Sequence, residues 1–123
     1  MAISATQRRG NWAEQRAARL LRAAGWRLLA NQWCCRWGEI DLLLHKPHRL
    51  LLVEVKSRRR CGVDGWGVAR FDAAKRRRLA AAYACWLAAH PRYQRCSLEL
   101  VLALVPQPPL REPVRWIRCL DLD

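Results

Sequence analysis

Apolar and polar positions change period several times along this chain, and the changes mark its elements. From about Thr6 to Ala24 the apolar residues Ala13, Ala17, Leu20, Leu21 and Ala24 recur at helical spacing, with no proline to interrupt them. Gly25 then supplies a natural C-terminal stop. Trp26 to Trp33 predicts a first strand, and Cys35-Arg36-Trp37-Gly38 its turn into the next. Two apolar runs follow, Gly38-Glu-Ile-Asp-Leu-Leu-Leu and Leu50-Leu-Leu-Val-Glu-Val-Lys-Ser-Arg58, separated by a polar break at His45 to Arg49. Runs of this length around such a break predict a hairpin of two buried antiparallel strands. Helical spacing returns between about Arg70 and Ala89, through Phe71, Ala74, Leu79, Ala82, Trp86 and Ala89, with Pro91 just beyond. Ser97 to Val105 is an apolar strand interrupted by Glu99. Pro106-Gln107-Pro108-Pro109 is a stiff connector, and Val114 to Cys119, carrying Trp116, predicts a final edge strand. No internal repeat is present. The expectation is one domain over 1–123, with its core at about 9–105 and an extension at 106–123.

The hairpin is where apolar patterning and chemistry meet. Side chains alternate along a strand, so Glu39 shares a face with Asp41, and Glu54 with Lys56. With a four-residue loop at Lys46 to Arg49, His45 pairs with Leu50. Asp41 then stands opposite Glu54, and Glu39 opposite Lys56. Two carboxylates so placed have Cβ atoms roughly 5 Å apart and repel each other. Burying them beside leucines adds a desolvation cost. A divalent cation removes both problems, because Mg²⁺ takes oxygen ligands from one or two carboxylates and completes its shell with water and phosphate. Lys56, two residues past Glu54, would orient a water or steady a developing phosphate charge. The same charges also make a salt-bridged hairpin in which Lys56 answers both Glu54 and Glu39. Spacing does not choose between the two.

These residues carry a resemblance. Asp41 with Glu54-Val55-Lys56 resembles the D…(D/E)-x-K signature of restriction-endonuclease-like nucleases. Gly38-Glu39-Ile40-Asp41-Leu42 with Val53-Glu54-Val55-Lys56-Ser57-Arg58 more closely resembles the YraN family. These are small, mostly uncharacterised bacterial proteins regarded as distant relatives of archaeal Holliday-junction resolvases. Gly10, Glu14, Ala18, Leu21, Gly25 and Asn31 fall where that family has its first helix and strand, and Lys75 falls in its second helix. The resemblance covers roughly Arg9 to Val105. It implies an α/β fold with a restriction-endonuclease-like αβββαβ core, a mixed sheet flanked by helices. It implies a Mg²⁺- or Mn²⁺-dependent endonuclease, with Asp41, Glu54 and the Val55 carbonyl as metal ligands and Lys56 as the catalytic cation. Glu39 and Glu14 would be accessory. By spacing alone Glu14 reads first as a surface carboxylate paired with Arg16, Arg19 or Arg22; the resemblance draws it towards the metal. Junction cutters of this fold usually act as dimers, which adds a homodimer to the expectations. The family's strand motif R-F-D is replaced here by Ser97-Leu98-Glu99, which leaves Glu99 without a role. A non-catalytic nucleic-acid-binding protein on the same scaffold is the alternative.

Charge supports a polyanionic partner. The chain has 23 Lys and Arg against 10 Asp and Glu, a formal charge of +13 and a pI near 10.9. A small domain this basic meets nucleic acid more often than any other polyanion. DNA is the expected partner, with RNA left open. Arg58, Arg59 and Arg60, leading into a loop with three glycines and Trp66, are candidates for a phosphate backbone and a stacked base, with Lys75 beside them. The segment from Met1 to Arg9 has no apolar core of signal-peptide length, and no run approaches a membrane span, so no membrane partner and a cytoplasmic location are expected. Six cysteines without a C-x-x-C pair are expected to be free thiols rather than a zinc site, with Cys85 packing as a small hydrophobe. His45, His48 and His90, at turns or helix ends, read as surface residues.

Overall fold

The computed structural model describes residues 5–58, 73–107 and 112–119. Its elements are α1 (Ala5–Ala23), β1 (Arg27–Cys35), β2 (Gly38–Lys46), β3 (Arg49–Arg58), α2 (Ala73–Ala89), a 3-10 turn (Pro91–Tyr93), β4 (Ser97–Pro106) and β5 (Arg115–Cys119). The expected order of helix, three strands, helix and strand is present, and the final edge strand is added to it. The five strands form one mixed sheet in sequence order. β1, β2 and β3 are antiparallel neighbours, β4 runs parallel to β3, and β5 closes the far edge antiparallel to β4.

Both faces of this sheet are covered. Leu51 and Val53 of β3 face α1, joining Ala13, Ala17, Ala18 and Leu21 with Val101, Ala103 and Val105 of β4. Leu50 and Leu52 face the other way, joining Leu79, Ala82 and Trp86 of α2. A strand buried on both faces needs an unbroken apolar run, which is why β3 and β4 read as leucine and valine without alternation. The buried stripe of α1 is narrower than its spacing suggests. Leu20 is 42% exposed, and Ala24 is also outside the core.

α1 stops as expected at Gly25. Its φ is +97°, the Trp26 N–H donates to the Leu21 carbonyl and the Gly25 N–H to that of Arg22. This is a Schellman cap, and its usual apolar partners, Leu21 and Trp26, lie in the same cluster. The hairpin turn is tighter than the sequence suggests. Lys46 pairs with Arg49, leaving only Pro47 and His48 in the turn, yet the register is the expected one, with His45 opposite Leu50. Pro47 pre-sets the first turn position, and His48 takes the positive φ of 65° that the second requires. Two histidines are less exposed than expected. His45 packs edge-on against Tyr93 at 5.3 Å, and His90 stacks on Trp86 at 4.3 Å, with its Nδ1 2.8 Å from the Trp86 carbonyl oxygen. Cys85 and four other cysteines are free thiols. No helix among the described residues is long and apolar enough to cross a membrane.

Gly38 is needed for a close approach. A Cβ there would lie 2.8 Å from the Arg78 backbone carbonyl, on which the first residue of β2 rests. Gly38→Ala is expected to destabilise by about 1–3 kcal/mol, because α2 backbone must move. Gly10, inside α1 with nothing within 4 Å of its would-be Cβ, is the internal control. Gly10→Ala is expected to stabilise by about 0.5–1 kcal/mol. Urea unfolding of the two variants beside wild type checks both signs.

Candidate metal and phosphate site

β2 and β3 are paired from the hairpin turn as far as Leu42 opposite Val53, where the ladder ends. One residue further on, the Val55 N–H donates to Asp41 Oδ2 at 2.8 Å. A side-chain carboxylate thus takes over from the missing main-chain acceptor. The alternation of β2 breaks at the same place. Leu42 and Leu44 belong to the α1 side of the core, whereas Ile40 packs on the α2 side with Leu43. β1 is irregular there too. The register on either side sets Gln32 across from Asp41, and Gln32 has a φ of +49°, which a residue with a Cβ seldom adopts. Bulges and kinks of this kind re-aim side chains beside functional sites.

The parting of the strands makes a cleft of about 190 Å³ lined by Gly38, Glu39, Asp41, Glu54 and Lys56 from the strands, with Lys75, Arg78 and Leu79 from α2. The sequence-predicted Asp41, Glu54, Lys56, Glu39 and Lys75 are therefore brought together. Lys56 pairs with Glu54, Nζ to Oε1 at 3.3 Å, rather than with Glu39, which lines the same cleft but is exposed. In an extended strand the N–H and C=O of one residue leave by the same edge, so the Val55 carbonyl faces the gap its N–H faces. Arg59, Arg60 and Trp66 lie outside the described residues, as does the Arg58 side chain.

Glu14 is not a surface carboxylate. It is 8% exposed, and its Oε2 accepts a hydrogen bond from Gln32 Nε2 at 2.9 Å. Its Oε1 is buried with no hydrogen-bond partner among the described residues. Burial raises its pKa, the Gln32 amide opposes this, and the charges of Glu39 and Glu54 raise it further. Asp41 is pushed up to about 8, first by burial and then by the charge of Glu54; the Val55 N–H opposes the shift, and Glu14 adds to it. Four carboxylates thus act on one another. A buried oxygen without a partner, and a carboxyl whose ionisation is opposed first by burial and then by Glu54, are both features that a bound cation would relieve. Among the described residues, no three carboxylate, imidazole or thiol groups already converge on one point. The donor set that fits is Asp41, Glu54 and the Val55 carbonyl, with water and phosphate oxygens completing a Mg²⁺ shell.

Sequence reasoning missed Gln32. Its amide holds Glu14 and also donates to Asn11 Oδ1 at 2.8 Å, tying β1 to α1. A lone glutamine in an apolar strand gives no signal; only its left-handed backbone does. Sequence reasoning also missed Arg78: α2 brings it to the cleft together with Lys75, while the charge of Arg76 acts on Cys119. Glu99 is claimed by Arg118, Oε1 to Nη2 at 2.6 Å, and takes no part in the cleft.

Comparison with known proteins agrees with the motif. Residues 13–103 match the family model described as uncharacterised protein family UPF0102. The chain belongs to UPF0102, the YraN family. A UPF0102 protein of Prochlorococcus marinus strain MIT 9303 is 56% identical over 116 residues, covering 94% of this chain and 92% of the relative. One from strain MIT 9313 is 52% identical over 114 residues, covering 93% and 90%. A more divergent UPF0102 protein, from Synechococcus sp. strain JA-3-3Ab, is 36% identical over 110 residues, covering 89% and 84%. The UPF0102 match runs from the middle of α1 through most of β4 and so contains every carboxylate of the cleft, while β5 lies beyond it.

The electrostatics of the cleft fix a sign for stability against pH. Asp41 holds its proton more tightly folded than unfolded, so the stability this adds is complete below about pH 4 and is lost as pH rises towards 8. Without metal, Asp41→Asn is expected to match wild type near pH 4–5 and to exceed it by about 2–4 kcal/mol at pH 8. That is less than the full ~1.4 kcal/mol per unit, because Glu54 shares the titration. Urea unfolding in chelator across this range checks it.

Proposed function

We propose that this protein is a metal-dependent phosphodiesterase acting on nucleic acid, an endonuclease with a restriction-endonuclease-like core. The observation that carries the reading is the bond from the Val55 N–H to Asp41 beside Glu54. It sets two carboxylates and a main-chain carbonyl around a gap in the sheet, with Lys56 on the rim. The order of elements, with helices on both faces of a mixed sheet, fits that core.

Asp41 and Glu54 would hold Mg²⁺ or Mn²⁺, and Val55 would add its carbonyl. Bound there, the ion supplies Lewis-acid polarisation of the phosphoryl group and a more acidic water. Lys56, which pairs with Glu54 here, would offset the charge that grows on the phosphate oxygens once Glu54 is engaged by a cation. Lys75 and Arg78, across the cleft on α2, suit the flanking phosphates. Glu14, held by Gln32, would be accessory: it does not line the cleft itself, but its charge is felt at Asp41. DNA is the proposed substrate, cut as a homodimer if it is branched.

A second reading has one observation in its favour. The pairing of Lys56 with Glu54 at 3.3 Å is also what a static ion pair would show, and a binding module on this scaffold would keep it. Substitution separates the two. Asp41→Asn and Glu54→Gln are expected to weaken Mn²⁺ binding and to cut turnover at least 100-fold. Lys56→Ala is expected to leave metal binding intact while turnover falls comparably. Binding of nucleic acid should survive in all three. The measurement is cleavage of branched, linear and single-stranded substrates in Mg²⁺ or Mn²⁺, beside calorimetric metal titration. No cleavage of any substrate by wild type, with Lys56→Ala melting several degrees lower, would leave the ion-pair reading standing.

A further inference from the structure

The charges of this molecule are separated along its strands. The carboxylates gather where β2 leaves β3. At the other end of the same two strands, around the hairpin turn, the charged groups are cations. Trp26, itself buried, carries two of them: Lys46 Nζ lies 4.7 Å and Arg49 Cζ 5.0 Å from its ring centroid. Tyr93, at the same end of the sheet but on its α2 side, where Trp26 is on the α1 side, serves two more. Arg27 Nη2 donates to its hydroxyl at 3.3 Å, and Arg92 Cζ lies 5.3 Å from its ring centroid. His45 packs edge-on against the same tyrosine. The His45 pKa is lowered, by burial first and then by the charges of Arg27, Arg92 and His48, which agrees with Arg27 and Arg92 standing together on the Tyr93 side.

None of these four cations has a carboxylate within salt-bridge distance among the described residues, where the ion pairs found are Lys56–Glu54 and Arg118–Glu99. Two like charges gathered on each ring, one pair on either face, repel one another. The rings fix where the charges stand without neutralising them. An ordinary solvated basic face has flexible side chains and interspersed acids. Here the stems are anchored, and Glu99, opposite Leu51 at this end of the sheet, is taken by Arg118. Arg49 and Glu54 are five residues apart on β3, so the basic end lies about 17 Å from the cleft at ~3.3 Å per residue. That is about five nucleotide steps of a duplex strand at ~3.4 Å each.

We propose that the hairpin end of the sheet, with Lys46 and Arg49 on its α1 side and Arg27 and Arg92 on its α2 side, is a second docking site for the phosphate backbone of nucleic acid, remote from the carboxylate cleft and independent of any metal. A polyanion is the partner whose charge complements the site and whose length reaches from it to the cleft. A free phosphate ion would meet only one end of that span. The inference goes beyond the catalytic reading and stands on binding alone.

The test is fluorescence anisotropy of a labelled 20-base-pair duplex and of a single strand with full-length protein in EDTA, across a salt series. The Lys46→Gln/Arg49→Gln variant keeps stems over Trp26 and removes two charges. Arg19→Gln/Arg22→Gln, two exposed positions on α1, removes the same charge elsewhere. For the hairpin pair, the slope of log affinity against log salt is expected to become shallower by about 1.5–2, from ~0.9 per lost phosphate contact. Affinity at low salt should fall at least tenfold, with the control within twofold of wild type. Circular dichroism melts of both variants establish that each is folded. If the hairpin pair melts early, Arg27→Lys/Arg92→Lys, which keeps charge, joined to Arg27→Gln/Arg92→Gln, which removes it, gives the same comparison at the tyrosine. Equal losses in the hairpin pair and the control would overturn the proposal, as would no binding by wild type at low salt. So would tighter binding to phosphatidylserine vesicles or a poly-glutamate peptide than to either nucleic acid. Failure to cleave leaves these readouts unmoved.

Discussion

The hydrogen bond from the Val55 main chain to the Asp41 side chain is the constraint on which the site depends. A strand leaving a sheet exposes an unpaired donor on its neighbour, and an unpaired buried N–H costs as much as a lost hydrogen bond. Asp41 meets that donor at 2.8 Å. The exchange lets β2 turn away from β3 without stranding the Val55 amide, and it holds a carboxylate in a place where burial and Glu54 both oppose its ionisation. The two consequences are coupled. The geometry that ends the ladder is the geometry that crowds the carboxylates, and a cation is the ligand that relieves the crowding.

The surrounding structure is arranged to keep that geometry. Gly38 lets β2 rest on the backbone of α2 at Arg78, which brings Arg78 and Lys75 over the cleft. Gln32, in a left-handed conformation across from Asp41, holds Glu14 from the other side. A non-glycine residue at positive φ costs of order 1 kcal/mol or more, and it persists where surrounding contacts over-determine it. Here those contacts are the amide bonds to Glu14 and Asn11. The carboxylates of the cleft lie at one end of β2 and β3, while Arg27, Lys46, Arg49 and Arg92 at the other end have no carboxylate within salt-bridge distance among the described residues.

Much of this was legible in the sequence because two strong signals coincide. Runs of Leu and Val long enough for strands, without polar alternation, announce a sheet covered on both faces, and their one polar break places the hairpin. The register followed because parity is unforgiving: a slip of one residue would have buried Glu54 among the leucines of the α1 side. Two readings needed correction for local reasons. Lys46 and Arg49 read as loop residues, which makes the expected loop four residues long, but both are drawn into the ladder as they cover Trp26. Glu14 sat at the edge of an amphipathic pattern, where periodicity does not separate a buried acid from a surface one. Its burial is decided by a neighbour, Gln32, eighteen residues away. The basic cluster at the hairpin was illegible for a related reason. Arg27, Lys46, Arg49 and Arg92 come from separate elements, and only the fold puts them around Trp26 and Tyr93.

The central claim is that the carboxylate cleft is a cation site. Paramagnetic broadening by Mn²⁺ in ¹⁵N-labelled protein tests it most directly, since it needs no substrate and reads position. At substoichiometric Mn²⁺, near neutral pH, the amides of Asp41, Glu54 and Val55 should broaden first, followed by those of Glu14 and Gln32. The amides of Lys46 and Arg49, about 17 Å away along the strands, should stay sharper. Broadening centred elsewhere, or none at the Asp41–Val55 junction at millimolar Mn²⁺, would contradict the account.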